Sequence, residues 1–537
     1  MDTTGFGSTS AWYREMSALR WINRVEARLA PTLALSGIAI GIVIRAQFAL
    51  VGDFPLGDGG LFYAMARDIQ RAGYALPLYT SYNNANIPFA YPPLQIWLAA
   101  VLDGYTPMTL LTIMRLSPLA ASVLTVGAFY LVARELLSHR NEAAMAAAAF
   151  ALTPGSFYWP LMGGGLTRSW GFLFALLTIA QVIRMYRDGK TRQKISASIL
   201  AALTTTSHPG AAFFAAIACA LLFLSKGRSK AGALSSLVVA FGAAVLSAPW
   251  WLSVLLRLGP LPFGSAMGQG SSRLLALIYL LLPGLMQFNV SLVAEFLAVL
   301  GCMSAVTDRR YLVPGWLAAM VALEPREFEW YSVVPLSLLA GIGAAYLLKS
   351  AVLAKPAASP VKTLALCLSL AMLAIATLSG ELTRAALSPL SADERAAMAW
   401  VKSNTPATSS FLVLGSDAPS RIDSEWFPAL TGRVSVATHQ GYEWRGIAEF
   451  SRRGALYNAA LSCVASGTQC LNRLASSNGI YFDHIFLSPP LKQSLLGREL
   501  QRDPSYVMIY DSPGASIFSR SGTESSTPWG TAGRSSQ

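Results

Sequence analysis

Two carboxylates, Asp53 and Asp58, stand just beyond the first long apolar run of a 537-residue chain. A carboxylate at the edge of an apolar phase can take a proton from a hydroxyl and act as a general base. Asp58-Gly59-Gly60 is equally the composition of a turn. Arginines meet the opposite need, a fixed positive charge where an anion develops. Arg168 follows Gly163-Gly164-Gly165, whose missing Cβ atoms let backbone come close to another group. Arg45 and Glu295 lie within apolar runs, and a charge inside a membrane span is a functional candidate by default. Arg45 is near enough to the end of its run to snorkel. His208 sits in a Ser-His-Pro connection. The four histidines are scattered, which argues against a histidine-built metal centre. Zinc-protease, Walker and dinucleotide-binding signatures in the right context are absent, which argues against an ATP-driven pump. Cys219, Cys302 and Cys367 fall in apolar runs and read as packing residues. Cys463 and Cys470 are either a disulfide of an oxidising compartment or two free thiols.

These side chains need elements to position them, and composition says which. The chain is 53% hydrophobic and 13% charged, with mean hydropathy +0.46, whereas a soluble domain carries about 25% charged residues. That excludes a disordered chain, a solvated nucleic-acid-binding domain and most ordinary soluble enzymes. Apolar runs at 33–50, 118–135, 143–160, 167–183, 195–207, 210–225, 231–256, 285–306, 311–323, 332–348 and 363–380 predict a helical membrane bundle of 11 spans. Several are shorter than the roughly 20 residues a span needs. Residues 274–283 are too few to cross and read as interfacial or re-entrant.

Residues 1–32 are polar and show no cleavable signal, so the first run reads as an uncleaved anchor with a cytoplasmic N-terminus. On that orientation 19 Lys and Arg fall on inner connections and 7 on outer ones before residue 381. This is the bias that sets membrane topology. The net charge of +13 is therefore an orientation signal and not a footprint for nucleic acid. Eleven spans leave the C-terminus outside the cytoplasm, in a plasma or inner membrane.

From about residue 381 the composition changes. Residues 381–520 lack a span-length apolar run and hold nearly balanced charge, which predicts an extracytoplasmic α/β domain. Ser391-Ala-Asp-Glu394 is a capping-box start for a helix that Asn404-Thr-Pro406 ends. FLVLG (411–415), YFDHIFL (481–487), YVMIYD (506–511) and ASIF (515–518) read as strands. The Ser/Gly/Thr-rich tail 521–537 reads as disordered.

The longest outer loop, 51–117, is the segment most suited to function, because long loops without a role are uncommon. It carries Asp53 and Asp58, an amphipathic helix from Leu61 to Arg71, a polar aromatic stretch, and Tyr91-Pro92-Pro93 before an apolar helix. GDGGLFYAMARDI (57–69) and FAYPPLQIW (89–97), in this order and topology, resemble the GT-C-fold membrane glycosyltransferases. That superfamily includes the protein O-mannosyltransferases, the aminoarabinose transferases of lipid A and the RgtA/B/C/D-like enzymes. GGGLTRSWGFLFALL (163–177), TSHPGAA (206–212), REFEWYSVVPLSLLAGIGAAYLL (326–348) and EWFPALTGR (425–433) extend the likeness over most of the chain.

The resemblance implies an inverting transfer of a sugar from a polyprenyl-phosphate carrier to a lipid, glycan or protein acceptor on the outer face. By motif position Asp58 is the general base, with Asp53 the fallback. Many members carry Asp-Glu where this chain has Asp58-Gly59. Arg326 is the first candidate to stabilise the departing lipid phosphate, with Arg168, His208, Tyr91 and Arg45 as further binding candidates. Members differ in needing a divalent cation, so Mg2+ or Mn2+ on Asp58 and Asp53 is a further expectation. Tyr79, Tyr82, Asn83, Asn84, Trp426 and Trp444 are of sugar-contacting types, and equally of interfacial or core types. A flippase for lipid-linked saccharides would share the composition, but inverted repeats and paired broken helices are not visible. An oligosaccharyltransferase would share the fold, but the WWDxG-type signature is absent from 381–537.

Overall fold

The computed structural model describes residues 30–50, 52–267, 292–323, 328–354, 389–415 and 422–521. Arg326, Cys367, the expected span 363–380, the stretch 274–283, residues 1–29 and the tail beyond 521 lie outside the described residues. The chain divides into two compact units. One takes in the chain up to Leu78 together with Pro88–Pro389, the other Tyr79–Ile87 and the chain from Leu390.

The first unit is helical. Its elements are α1 (Ala30–Leu50), α2 (Gly60–Arg71), α3 (Leu94–Tyr105), α4 (Leu110–Leu136), α5 (Arg140–Leu152), α6 (Tyr158–Leu161), α7 (Gly165–Asp188), α8 (Thr191–Ser207), α9 (Pro209–Lys226), α10 (Lys230–Leu258) and α11 (Leu261–Met267), followed by helices Leu292–Thr307, Leu312–Leu323 and Val333–Ala354. Among the described residues α1, α4, α7, α9 and α10 are long and apolar enough to cross a membrane. Leu234, Leu237 and Phe241 of α10 are each more than 60% exposed. Their spacing puts them on one helix face, as a membrane-embedded protein shows to lipid.

Caps explain the turns. Thr109 accepts from the Thr112 N–H at the head of α4, and Ser229 from the Gly232 N–H at the head of α10. Gly189 ends α7 in the left-handed region, at φ 66°, where glycine has no Cβ penalty. Close helix packing runs through small residues. A Cβ on Gly301 would overlap the Leu339 carbonyl, and one on Gly343 the Leu297 carbonyl. Helices Leu292–Thr307 and Val333–Ala354 therefore touch backbone to backbone, as membrane helices with small interface residues do.

One expected span is corrected. Residues 143–160 do not form a single helix: α5 ends at Leu152, a 3-10 turn covers Pro154–Ser156, and α6 is four residues long. Pro154 has no N–H to continue the ladder and disfavours a helical residue before it. Arg45 packs into this break. Its Nη1 donates to the carbonyls of Ala151 (2.5 Å) and Gly41 (2.9 Å). Nη2 donates to Ser156 Oγ at 2.6 Å and Nε to Ser122 Oγ at 3.1 Å. The guanidinium lies 4.7 Å from the Phe157 ring centroid and is fully buried.

The second unit is a mixed sheet with helices. Strands β1 (Tyr79–Thr80) and β2 (Ile87–Pro88) of the long loop form a two-stranded sheet, and β3 (Ser410–Leu414), β4 (Val434–Ser435), β5 (His484–Leu487), β6 (Tyr506–Ser512) and β7 (Ala515–Arg520) order as β4-β3-β5-β7-β6. β3 pairs parallel with β4 and β5, and β7 pairs antiparallel with β5 and β6. The capping box at Ser391 forms as expected and starts helix Ala392–Asn404. Arg433 closes the other end of that helix by donating to the Lys402 and Thr405 carbonyls at 2.8 and 2.6 Å.

Residues 79–87 of the long loop belong to this unit. Asn83 meets strand β4 through both ends of its amide: Nδ2 donates to Ser435 O at 3.0 Å, and Oδ1 accepts from Ser435 N–H at 2.7 Å. The side chain thus pairs with an edge strand as another strand would. Tyr82 donates to Glu425 O at 2.6 Å. Tyr82, Asn83, Trp426 and Trp444 are all buried, so these sugar-type side chains serve the interior of the second unit. A disulfide joins Cys463 to Cys470.

Two stability outcomes follow. Arg45→Ala strips buried carbonyls of their donor and should cost at least about 2 kcal/mol, read as a lower unfolding temperature of the detergent-solubilised protein. Cys463→Ser opens a short covalent loop and should cost roughly 2–3 kcal/mol, read as the same shift that reductant produces in the wild type and not in the variant.

Candidate active site

Asp58 sits in a short loop between α1 and α2 that leans on the head of α7. The loop is held by backbone pairs: Gly163 N–H to Leu56 O at 2.7 Å and Gly164 N–H to Asp58 O at 3.1 Å. Such contact demands glycine. A Cβ on Gly163 would overlap the Asp58 carbonyl, and one on Gly165 the Pro160 carbonyl. A Cβ on Gly164 would meet the Arg168 guanidinium and both Asp58 carboxylate oxygens. The three glycines therefore allow two backbone segments to touch, as their composition suggested, and the partner is the Asp58 loop.

The Asp58 carboxylate accepts from Gly164 N–H at 3.1 Å through Oδ1. Arg168 Nη2 lies 3.2 Å from Oδ1 and 2.9 Å from Oδ2. The head of a helix favours an anion there. An ionised carboxylate offers about four acceptor sites. Three are used by the described residues, which leaves one acceptor site on Oδ2. Arg168 is also nearly buried, and its Nη1 has no hydrogen-bond partner among the described residues. Its guanidinium lies 3.6 Å over the Trp159 ring, and Trp159 stacks on Trp330 at 4.9 Å and 9°. Trp159, backed by Trp330, covers one face of the guanidinium and limits its rotation away from Asp58.

Tyr91 and His208 lie alongside. The Tyr91 hydroxyl is 3.1 Å from the hydroxyl of Thr167, the residue before Arg168. The Tyr91 ring meets Phe62 of α2 edge-on at 4.8 Å and lies 6.3 Å from the His208 ring. His208 caps α9: its Nδ1 accepts from the Ala211 N–H at 3.2 Å and lies 3.2 Å from the Tyr331 hydroxyl. With Nδ1 occupied as an acceptor, the neutral ring carries its proton on Nε2.

The structure thus gathers Asp58, Arg168, Tyr91 and His208. It places Arg45 in the α5 break with each nitrogen engaged inside the bundle. Trp330 and Tyr331, a few residues past Arg326, reach the gathered groups. Trp330, Tyr331 and Thr167 stand in the sequence reading only inside longer motifs, and Trp159 is absent from it. The aromatic run FYW (157–159) beside the glycines was the available signal.

Asp53 is exposed and Asp58 buried. Among the described residues no group of three or more His, Cys, Asp or Glu gathers to hold a metal ion. The Asp58 oxygens face an arginine and an N–H. This donor set does not fit a protein-held divalent cation.

A largely apolar cavity of about 470 Å³ is lined by Pro93, Leu94 and Trp97 of the α3 end, Leu203 and Thr206 of α8, and Trp250 of α10. Pro93 and Thr206 stand two residues from Tyr91 and His208. The cavity thus begins close along the chain to the polar cluster.

No family model matches the chain, and no curated protein matches it by sequence. Solved structures do. The chain is similar to the archaeal oligosaccharyltransferase AglB from Archaeoglobus fulgidus, in complex with an inhibitory peptide and a dolichol-phosphate. That match has a TM-score of 0.59 and 14% identity, over 86% of this chain and 70% of AglB. ArnT from Cupriavidus metallidurans matches with a TM-score of 0.53 and 13% identity, over 90% of this chain and 96% of ArnT. ArnT is also solved bound to undecaprenyl phosphate. The arabinofuranosyltransferase AftD from Mycobacteria matches at 0.54 and 16% identity, over 91% of this chain and 40% of AftD. The shared property is the fold, and the chain has the GT-C fold.

The glycine contacts set a test. Gly163→Ala should lower stability by about 1–3 kcal/mol, because overlap with backbone cannot relax. Gly127→Ala, in α4 with nothing within 4 Å of its Cβ, should be neutral or stabilising by about 0.5–1 kcal/mol. Thermal unfolding of both variants checks the contrast.

Proposed function

We propose that this GT-C chain is a membrane glycosyltransferase that moves a sugar from a polyprenyl-phosphate carrier to an acceptor hydroxyl on the extracytoplasmic face, with inversion. The observation that carries this reading is the Asp58 carboxylate held at the head of α7 by Gly164 N–H and Arg168, beside an arginine nitrogen with no hydrogen-bond partner among the described residues. A base and an anion-binding donor are what such a displacement needs, and they are adjacent.

Asp58 Oδ2 takes the proton of the acceptor hydroxyl as its oxygen attacks the anomeric carbon. The bond from that carbon to the phosphate oxygen breaks on the opposite side, and the carrier leaves as lipid phosphate. Fixed N–H donors lower the cost of the charge that the leaving phosphate gains. Arg168 Nη1 is one, His208 Nε2 a second, and Arg326 stands by motif as a third. Tyr91 orders the groove between α2 and α7. The apolar cavity from Pro93 to Trp250 suits the isoprenoid part of the carrier. AglB with dolichol-phosphate and ArnT with undecaprenyl phosphate support a lipid-phosphate carrier. The missing WWDxG-type signature in 381–537 favours a single-sugar transferase over an oligosaccharyltransferase. The Cys463–Cys470 disulfide supports an extracytoplasmic second unit, because such bonds persist in oxidising compartments.

Asp58→Asn keeps one acceptor oxygen for Gly164 and Arg168, removes the base and leaves the buried Arg168 charge unpaired. Sugar transfer from lipid carrier in membranes, assayed below the variant's unfolding temperature, should fall by about 10²–10⁴-fold, with the unfolding temperature lowered. Wild-type-like transfer would remove Asp58 from the mechanism. If no carrier supports transfer and deletion leaves lipid-linked sugar on one leaflet, the chain is a flippase.

A further inference from the structure

A second cavity, of about 480 Å³, lies at the other end of the bundle. His139, Glu142, Asp308, Arg310, Tyr346 and Lys349 are among its lining residues. Helix Val333–Ala354 begins two residues past Tyr331 of the Asp58 cluster, and Lys349 is 16 residues along it, a rise of roughly 24 Å. α5 spans the same interval, from Arg140 beside this cavity to the break that holds Arg45. The cavity therefore opens at the opposite membrane surface, among the connections rich in Lys and Arg.

Its charges are arranged in opposition. Arg310 Nη1 pairs with the buried Glu142 carboxylate at 3.1 Å, and Nη2 with Asp308 at 2.9 Å. Arg310 Nε is buried with no partner. Two carboxylates on one guanidinium leave a net charge of −1. Lys349, exposed on the cavity wall, makes no ion pair among the described residues. The cavity is thus neutral overall, with an acidic side and a basic side. Met303, Val306 and Tyr346, on the helices that form it, are exposed large apolar side chains that acyl chains could cover.

We propose that this cavity binds the headgroup of a zwitterionic phospholipid from the leaflet opposite the Asp58 site. The ammonium faces Glu142 and Asp308, and the phosphate faces Lys349 and Arg310 Nε. A purely anionic headgroup would meet two carboxylates with nothing to offer them. The polar cluster could otherwise serve only to close helix ends, and the experiment separates the two.

Full-length protein, stripped of lipid in detergent, is titrated with phosphatidylethanolamine, phosphatidylglycerol or diacylglycerol and read by native mass spectrometry. One phosphatidylethanolamine should be retained about tenfold more tightly than diacylglycerol, as one charged hydrogen bond allows. Lys349→Gln should remove most of that preference and Lys349→Arg restore it. Arg192→Gln, an exposed basic change on the same expected side, should leave it intact. Equal retention of the three lipids, tighter binding of phosphatidylglycerol, or an equal loss in Arg192→Gln would each overturn the proposal. None of these readouts depends on sugar transfer.

Discussion

The contact between the Asp58 loop and the Gly163–Gly165 turn is the constraint on which the rest of the candidate site depends. Carbonyl and N–H groups of the two segments bond directly, and no side chain fits between them. That closeness puts the Asp58 carboxylate on the first N–H of α7 and in the fork of Arg168, one turn along the same helix. Because Asp58 and Arg168 are both referenced to one helix end, their separation does not depend on a long loop holding its shape. Trp159 and Trp330 then fix the guanidinium plane, and Thr167 ties Tyr91 to the same turn.

The bundle around this turn uses a broken helix to make room for it. The stop at Thr153-Pro154 ends α5 early and lets the chain fold back as a 3-10 turn and α6. A break inside a membrane leaves carbonyls that lipid cannot satisfy, and protein groups must meet that need. Arg45 does so from α1, and Ser156 relays it to the Phe150 carbonyl. A charged residue in a span here works as a donor array for backbone. It secures the segment that carries Trp159 and the glycines.

Much of this was legible in the chain, for local reasons. Caps, prolines and glycines act within a few residues, so Ser391, Tyr91-Pro92-Pro93 and Ser207-His208-Pro209 mark helix ends that the structure shows. The long spans follow from apolar composition, since lipid selects for it without reference to partners. The run 143–160 carries no charge, and hydropathy does not register where backbone bonding stops. Pro154 was the signal, and a proline within an apolar run is common enough in membrane helices to be passed over. The site was legible only in part. Asp58 and Arg168 are 110 residues apart, and their pairing is a property of packing. Asn83 was the hardest: its amide type suits a sugar, yet it pairs with an edge strand 352 residues away.

That last pairing bears on how the protein is made. Residues 79–87 emerge from the ribosome long before strand β4 exists, and they belong to the unit that forms from the far end of the chain. Residues 79–87 therefore wait for the C-terminal part of their own unit, whose completion is a late, non-local event. Non-local closure is slow and leaves surfaces uncovered meanwhile. During that interval Tyr82 and the edge strand β4 lack their native cover. A chain truncated before residue 434 would carry the Asp58 loop but leave the 79–87 segment without its strand. The order of synthesis thus makes the native packing of residues 79–87 depend on the C-terminal region.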